Sequence, residues 1–422
     1  MKRILAVTVA FALSTHAVQA RAEGTREAVT FGNALAVARS RNVNVAVAAA
    51  DVARADALVK QARAAAFPTL TGNAIYTRLD GDRLVGDRVV QGADSLSLNV
   101  NVTVPIVSAS RWGAWKRAED AADVAVHQRR AQERDVVLAA ARAYLAVLLQ
   151  KKALAVAERA RDVAKQHLTF AEAREKGGVG TRLDVVRVLQ EVEATEAQLA
   201  QTRVGLVRSE EALGTTLGLE HSVDATEEPA LEVPPRSRPR PVDVNVRDDL
   251  RAQARDVDAK ERASHDAYRD YVPTLAASFQ PFYQNPATLT LPTTGWQAQL
   301  VLSVPFFDGG LRYGQDRERG AALAQARARY DDALRRARSE VRVAEVAIEE
   351  ADKIVERTRT SVALAREAAS LAQIAYSQGA GTNLELMDAD RRARDAESQL
   401  ALSEDAMRQA RLEWLGVTGV LR

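Results

Sequence analysis

Residues 95–105 read SLSLNVNVTVP, and the alternation is unbroken. Leu96, Leu98, Val100, Val102 and Val104 fall on one face of a strand; Ser95, Ser97, Asn99, Asn101 and Thr103 fall on the other. Successive side chains of a strand point to opposite sides, so this segment separates two environments. A half-buried strand of a soluble protein would have its core on the apolar side. A transmembrane barrel strand would have lipid there and water on the polar side.

The rest of the chain supplies partners for it. Trp296, Ala298, Leu300, Leu302 and Val304 alternate with Gln297, Gln299, Val301 and Ser303, and further strand candidates cover Thr69 to Thr77 and Thr274 to Tyr283. Each has about ten residues, the length of a tilted transmembrane strand. The stretches between them, LDGDRLVGDRVVQGAD and QNPATLTLPTTG, are polar or proline-bearing and read as loops. Tyr76, Phe282, Tyr283 and Trp296 lie near strand ends, where an interfacial aromatic belt would sit. Four strands cannot close a membrane barrel, whose small end is about eight. An open sheet in lipid would leave unpaired backbone groups, at several kcal/mol each. A membrane reading therefore requires several chains around one barrel: three would give twelve strands, four would give sixteen.

Long-range repetition organises the sequence. Pro68-Thr69-Leu70 returns as Pro273-Thr274-Leu275, Val104-Pro105 as Val304-Pro305, and GVGTRLDV (178–185) as GAGTNLEL (379–386). The chain reads as two copies of one unit, residues 23–218 and 247–422, joined by a proline-rich linker at 219–246. The basic run RSRPR inside that linker reads as solvated. No proline occurs between Pro105 and Pro229 or after Pro305, and glycine is nearly absent from 114–176 and 315–378. These tracts predict helices of roughly 65 to 70 residues, about 100 Å long. Each ends at a glycine-rich turn, KGGVGT or SQGAGT, after which a shorter helix runs back over 183–217 or 384–415. A further helix precedes each Pro-Thr-Leu, over about 31–66 and 246–271.

Residues 1–22, MKRILAVTVAFALSTHAVQARA, read as a secretory signal peptide: Lys2 and Arg3, a short apolar run, then small residues with cleavage after Ala20 or Ala22. The apolar run falls below the roughly 20 residues that span a bilayer. No later segment is apolar for that length, so an exported chain crosses a membrane as a β-barrel or not at all. There is no cysteine, hence no disulfide framework and no site for lipid at an amino-terminal cysteine. Lys and Arg total 58 against 56 Asp and Glu, a net +2, which gives no reason to expect nucleic acid. His127, His167, His221 and His265 are scattered without ligand spacing, and neither a phosphate-binding glycine loop nor a nucleophile elbow is present. No enzyme activity, metal site or cofactor is expected. Trp112, Trp115 and Trp414 read as packing or interfacial residues.

These features together resemble the TolC-like outer membrane factor family, the exit ducts of Gram-negative efflux pumps and type I secretion systems. The resemblance covers almost the whole mature chain. It rests on the two-fold repeat, on helix-FPTL-strand (67–70), on strand-VPIV and strand-VPFFDGG (304–310), and on the two GT-bearing turns. It implies a mixed, mainly α fold: internally duplicated helical hairpins with four transmembrane strands per chain. It implies a homotrimer with a 12-stranded outer membrane β-barrel continuous with a periplasmic α-helical barrel. The implied partners are an inner-membrane pump, driven by ATP or an ion gradient, and a periplasmic adaptor. Leu96, Leu98, Val100, Val102, Trp296, Ala298, Leu300 and Leu302 would then face lipid. The turn residues Gly178, Gly180, Thr181, Gly379, Gly381 and Thr382 would border the adaptor.

By position, AYSQGAGTNLELMDA (375–389) matches the family's periplasmic aperture turn, with Tyr376 at its tyrosine and Glu385 and Asp388 at its acidic positions. Gly381 stands where the best-known member has an arginine that helps latch the closed state. Three copies of Glu385 and Asp388 would gather six carboxylates, whose repulsion raises some pKa values and favours a wider state or bound cations. Thr382-Asn-Leu-Glu385 is also a capping-box pattern, repeated at Thr181-Arg-Leu-Asp184, where Arg187 takes the place of Asp388. The four turn glycines are expected to supply positive φ. Small-molecule efflux is the leading cargo reading, with divalent-metal export or protein secretion as alternatives. The rival from another class is a soluble periplasmic coiled-coil scaffold, which would need a hydrophobic partner for the alternating strands.

Overall fold

The computed structural model describes residues 27–86, 88–233, 247–287 and 292–420. The leader, the linker prolines from Pro234 to Pro241 and part of the second loop lie outside the described residues.

The chain opens with β1 (Glu27–Val29), α1 (Phe31–Arg41) and α2 (Val43–Ala64), then β2 (Thr69–Arg78), β3 (Arg83–Val85), β4 (Arg88–Gln91) and β5 (Asp94–Val107). The long α3 (Ala109–Lys176) and its return α4 (Arg182–Leu217) complete the first copy, followed by β6 (Val223–Ala225). The second copy comprises α5 (Asp248–His265), a 3₁₀ turn (Asp266–Tyr271), β7 (Thr274–Asn285), β8 (Thr294–Ser303), α6 (Leu311–Ser377) and α7 (Asn383–Val417). Helices α3 and α6 have 68 and 67 residues, about 100 Å each at 1.5 Å per residue. The shorter α4 and α7, of 36 and 35 residues, pack back along them, while α3 also packs on α2 and α5, and α6 on α5. Among the described residues no helix is long and apolar enough to cross a membrane.

Three expectations are corrected. The helix over 31–66 breaks at Asn42, whose backbone is extended (φ −65°, ψ 132°). Its side chain accepts from the Asn44 N–H at 2.8 Å, starting α2, and donates to the Thr216 carbonyl at 2.7 Å, tying the break to α4. The loop over 79–93 contains a small antiparallel hairpin, β3–β4. The linker expected over 219–246 begins with a strand: β6 pairs in parallel with β1, and Val223, Ala225 and Leu231 are buried; the run RSRPR lies outside the described residues.

That pairing seals the main core. Alanines on α3 and α1 allow the helices to approach closely, and Tyr144, Leu145, Leu213, Leu217 and Leu412 fill the space between them. Tyr144 meets Phe31 edge-on at 5.3 Å. Its hydroxyl donates to the Glu227 carbonyl at 2.9 Å and accepts from the Glu227 N–H at 3.1 Å, which leaves the buried phenol satisfied.

The main sheet has the order β2-β5-β7-β8, all antiparallel, so the two copies meet between β5 and β7. The ends at Thr69, Val107, Thr274 and Ser303 form one rim, from which the helices descend. Among the described residues, β2 and β8 have no further strand beside them and form the edges of this sheet.

Candidate functional site

Two regions carry the chemistry: the faces of this sheet and the paired turns at the far tips of the helices. Register settles the sheet. Leu70, Gly72, Ala74 and Tyr76 stand opposite Val102, Val100, Leu98 and Leu96. Val102 and Leu98 face Phe279 and Tyr283 on β7. Phe279, Ala277 and Leu275 face Ala298, Leu300 and Leu302, and Pro281 faces Trp296. All eight predicted strand residues therefore share one apolar face across four strands.

The usual burial rule is inverted on it. Leu96, Leu98 and Val100 are 39%, 40% and 42% exposed, while Ser95, Ser97 and Asn99 between them are less accessible. On β8, Trp296, Leu300 and Leu302 are 68%, 66% and 64% exposed. A contiguous apolar surface left open by its own chain marks a contact with another apolar phase. The opposite face holds side-chain amides and hydroxyls, such as the Asn73 amide donating to Asn99 at 3.0 Å. Phe282 departs from the predicted belt. It lies on the polar face opposite Gly295, where a Cβ would come within 2.7 Å of its ring.

The tips repeat one design twice. The carbonyl of Arg174 accepts from the N–H groups of both Val179 and Gly180 at 3.0 Å. In the second copy the Ala375 carbonyl accepts from Ala380 at 2.9 Å and Gly381 at 3.1 Å. Only one glycine in each turn has positive φ: Gly178 at 74° and Gly379 at 77°. Gly180 and Gly381 serve close approach instead, correcting the expectation for those two. A Cβ on Gly180 would meet Arg174 Cβ at 2.9 Å and backbone atoms at 3.0 Å; one on Gly381 would meet Ala375 and Tyr376 at 3.2 Å. Here the side chain expected by resemblance would crowd the backbone.

Both capping boxes form. Thr181 Oγ1 accepts from the Asp184 N–H and Thr382 Oγ1 from the Glu385 N–H, each at 3.2 Å. In return, Glu385 Oε2 accepts from the Thr382 N–H at 2.9 Å. That bond to the backbone, aided by the Thr382 hydroxyl, holds the Glu385 carboxyl below its ordinary value. The rise expected from clustered carboxylates is thus opposed by the chain's own contacts. Asp388 is flanked at 2.9 Å by Arg391 and by Arg392. Arg187, at its place in the first copy, is exposed.

Tyr376 is buried against α3. It meets Phe170 edge-on at 5.5 Å, and the Arg174 guanidinium lies 4.7 Å from its ring centre. Arg174 Nη1 also donates to the Tyr376 carbonyl at 2.8 Å. Burial raises the Tyr376 phenol, and Arg174 partly offsets that rise. Further up, Arg394 Nη1 donates to Glu191 at 2.7 Å, and His167 Nδ1 lies 3.2 Å from Asp390 without the alignment of a hydrogen bond. Burial raises the Asp390 carboxyl against the pull of His167. These contacts join hairpin α3–α4 to hairpin α6–α7. The sequence pattern missed Arg174, His167, Glu191 and Arg394, because partners some 200 residues apart leave no local spacing signal.

The outer membrane efflux protein family model matches residues 34–219 and 245–419. No curated protein sequence matches the chain. Among solved structures, the channel CusC superimposes with a TM-score of 0.81 at 16% identity, over 92% of this chain and 91% of its own. The Campylobacter jejuni CmeC outer membrane channel gives 0.80 at 14% identity, over 92% and 85%. The open state of the Neisseria gonorrhoeae MtrE outer membrane channel gives 0.77 at 19%, over 92% and 88%. With the duplicated hairpins, the inside-out sheet and a family match over both copies, the chain belongs to the outer membrane efflux protein family and serves as an efflux exit duct.

Proposed function

We propose that three copies of this chain close one barrel, twelve strands from three sets of four, continuous with a periplasmic tube of helices. The observation that carries this reading is the four-stranded sheet itself, apolar and exposed on one face, polar on the other, and open at β2 and β8. In lipid those edges must pair, and only another copy presents the complementary edge. Leu96, Leu98, Val100, Val102, Trp296, Ala298, Leu300 and Leu302 then meet outer membrane hydrocarbon, and the opposite face lines a wet lumen. The domain reading follows: a leader at 1–22, copies at 23–218 and 247–422, and the linker at 219–246 around the waist of the tube.

The duct conducts passively. A pump of the inner membrane supplies direction, and a periplasmic adaptor meets the tip turns at Gly178, Gly180, Thr181, Gly379, Gly381 and Thr382. Small molecules are the favoured cargo, on family breadth. Tyr376, Glu385 and Asp388 line the aperture in this reading. Glu385 also serves its cap and Asp388 also meets two arginines, and the Arg174–Tyr376 contact adds a second hold on the closed tip. Planar-bilayer recording tests the assignment: replacing Glu385 and Asp388 by alanine raises conductance and lowers cation selectivity. Unchanged conductance and selectivity would leave those residues with the capping role alone.

A further inference from the structure

Directly below the rim of the sheet lies a cleft of about 490 Å³. Trp112, Trp115 and Lys116 line it from the first turns of α3; Arg262, Asp266 and Arg269 line it from α5 and the 3₁₀ turn. Its depth is fixed by the fold. Helix α3 starts at Ala109, two residues past the end of β5, so Trp112 and Trp115 sit roughly 5 and 9 Å down the helix axis. A bilayer of about 30 Å hydrocarbon and 40–45 Å in total has headgroup zones of comparable thickness. The cleft rests on the reading that the sheet lies in the membrane, and it then opens at headgroup level of the periplasmic leaflet.

The cleft is built for mixed charge. Lys116 lies 2.9 Å from Glu119, Arg262 lies 3.0 Å from Asp120, and Arg269 lies 3.2 Å from Asp266. The Trp115 indole N–H is buried with no acceptor among the described residues. Behind it, Arg117 and Arg319 each have a buried Nη1 with no acceptor among the described residues. A point one Cβ out from Gly113 is 3.2 Å from Arg117 Nη1 and 3.3 Å from Arg269 Cδ, which places two guanidinium side chains side by side. Such a cluster has donors in excess and calls for an anion, while Glu119 and Asp266 can receive a cation. Aromatic rings with stacked arginines surround it: Arg63 lies 5.3 Å from the Phe67 ring and 5.6 Å from that of Trp115, and Arg312 lies 4.8 Å from Tyr271. Trp112 is exposed and offers a face to an ammonium.

We infer that this cleft binds the headgroup of a zwitterionic glycerophospholipid carrying a primary ammonium. Its phosphate sits against Arg269, Arg262 and Lys116 and accepts from the Trp115 N–H. Its ammonium lies between Glu119, Asp266 and the Trp112 ring. A net-anionic headgroup would meet the same phosphate donors but bring no ammonium to offset Glu119 and Asp266, which face it. Free phosphate would use the donors without the rest.

The test uses the full-length protein, purified in detergent and stripped of lipid. It is titrated with short-chain phosphatidylethanolamine, with phosphatidylglycerol of equal chain length, and with inorganic phosphate. Binding is read by native mass spectrometry and by fluorescence of the four tryptophans. The expected result is saturable uptake of one phosphatidylethanolamine per chain, about tenfold tighter than either alternative, a difference of roughly 1.4 kcal/mol. Arg269→Gln, Lys116→Gln and the conservative Trp115→Phe each weaken it by about that factor. Arg129→Gln, further down α3, leaves it unchanged. Equal or tighter binding of inorganic phosphate would make this a free-anion site and overturn the proposal. Preference for phosphatidylglycerol, or uptake that does not saturate or ignores these variants, would overturn it too. Recovery of the variants in the outer membrane fraction with unchanged oligomeric mass is scored separately, so failure here leaves the membrane reading standing.

Discussion

Arg174 does two jobs with one guanidinium: it lies over the Tyr376 ring and donates to the Tyr376 carbonyl across 202 residues of sequence. Replacing it by alanine removes both and leaves that carbonyl only its bond within the turn, from the Gly379 N–H at 3.2 Å, while the turn glycines stay in place. Arg174→Ala is expected to raise single-channel conductance with the trimer intact, and Arg174→Lys to give an intermediate value, because an ammonium is a point donor without the planar stack. Wild-type conductance in Arg174→Ala would remove this contact from the closed state. The caps act more locally. Thr382→Ala should cost about 1 kcal/mol at the start of α7, seen as roughly fivefold faster amide exchange over 383–386. Glu385 adds a pH dependence. Its carboxyl is lower in the folded chain than its ordinary value near 4.3. Its contribution is therefore complete above about pH 4.3 and is lost as pH falls through the lowered folded value. The exchange difference between wild type and Glu385→Gln should be present at pH 7 and shrink progressively as pH falls through the lowered folded value. At this scale the sequence was half legible. Capping boxes are local and could be read from four residues; the bridge from Arg174 to Tyr376 could not, since nothing near either residue encodes the other.

Elements were legible wherever a period ran long enough. The strand over 95–104 extends to Asp94–Val107 because the bulge between Pro105 and Val107 lets a proline remain in the ladder. The long helices begin at Ala109 and Leu311, a few residues earlier than glycine scarcity suggested. Short elements escaped. Strands β1 and β6 have three residues each, too few for alternation to register, and only their burial in the Tyr144 core reveals them. The sheet faces give a paired test. Leu98 and Asn99 are neighbours in β5 on opposite faces. On the proposed membrane reading, Leu98→Lys would put an ammonium into hydrocarbon, at up to about 2–4 kcal/mol, whereas Asn99→Lys would put it into water. The outer membrane level of Leu98→Lys should fall several-fold and that of Asn99→Lys should hold. Equal loss for both would mean that the two faces do not differ in environment.

On the scale of the whole molecule, the repeat carried most of the information. Two copies of helix, strand pair and long hairpin, spaced by about 200 residues, give the antiparallel sheet with its seam between β5 and β7 and the paired tips below. Assembly was legible only by exclusion: four strands cannot close, so copies must combine. The cleft under the rim was not legible at all, because Trp115 and Arg269 come from different copies and meet only after folding.

The mass of the protein extracted from outer membranes in mild detergent tests that assembly most directly. Three chains in one particle, insoluble once detergent is removed, is the result this account predicts. A single chain that stays dispersed in plain buffer would contradict it.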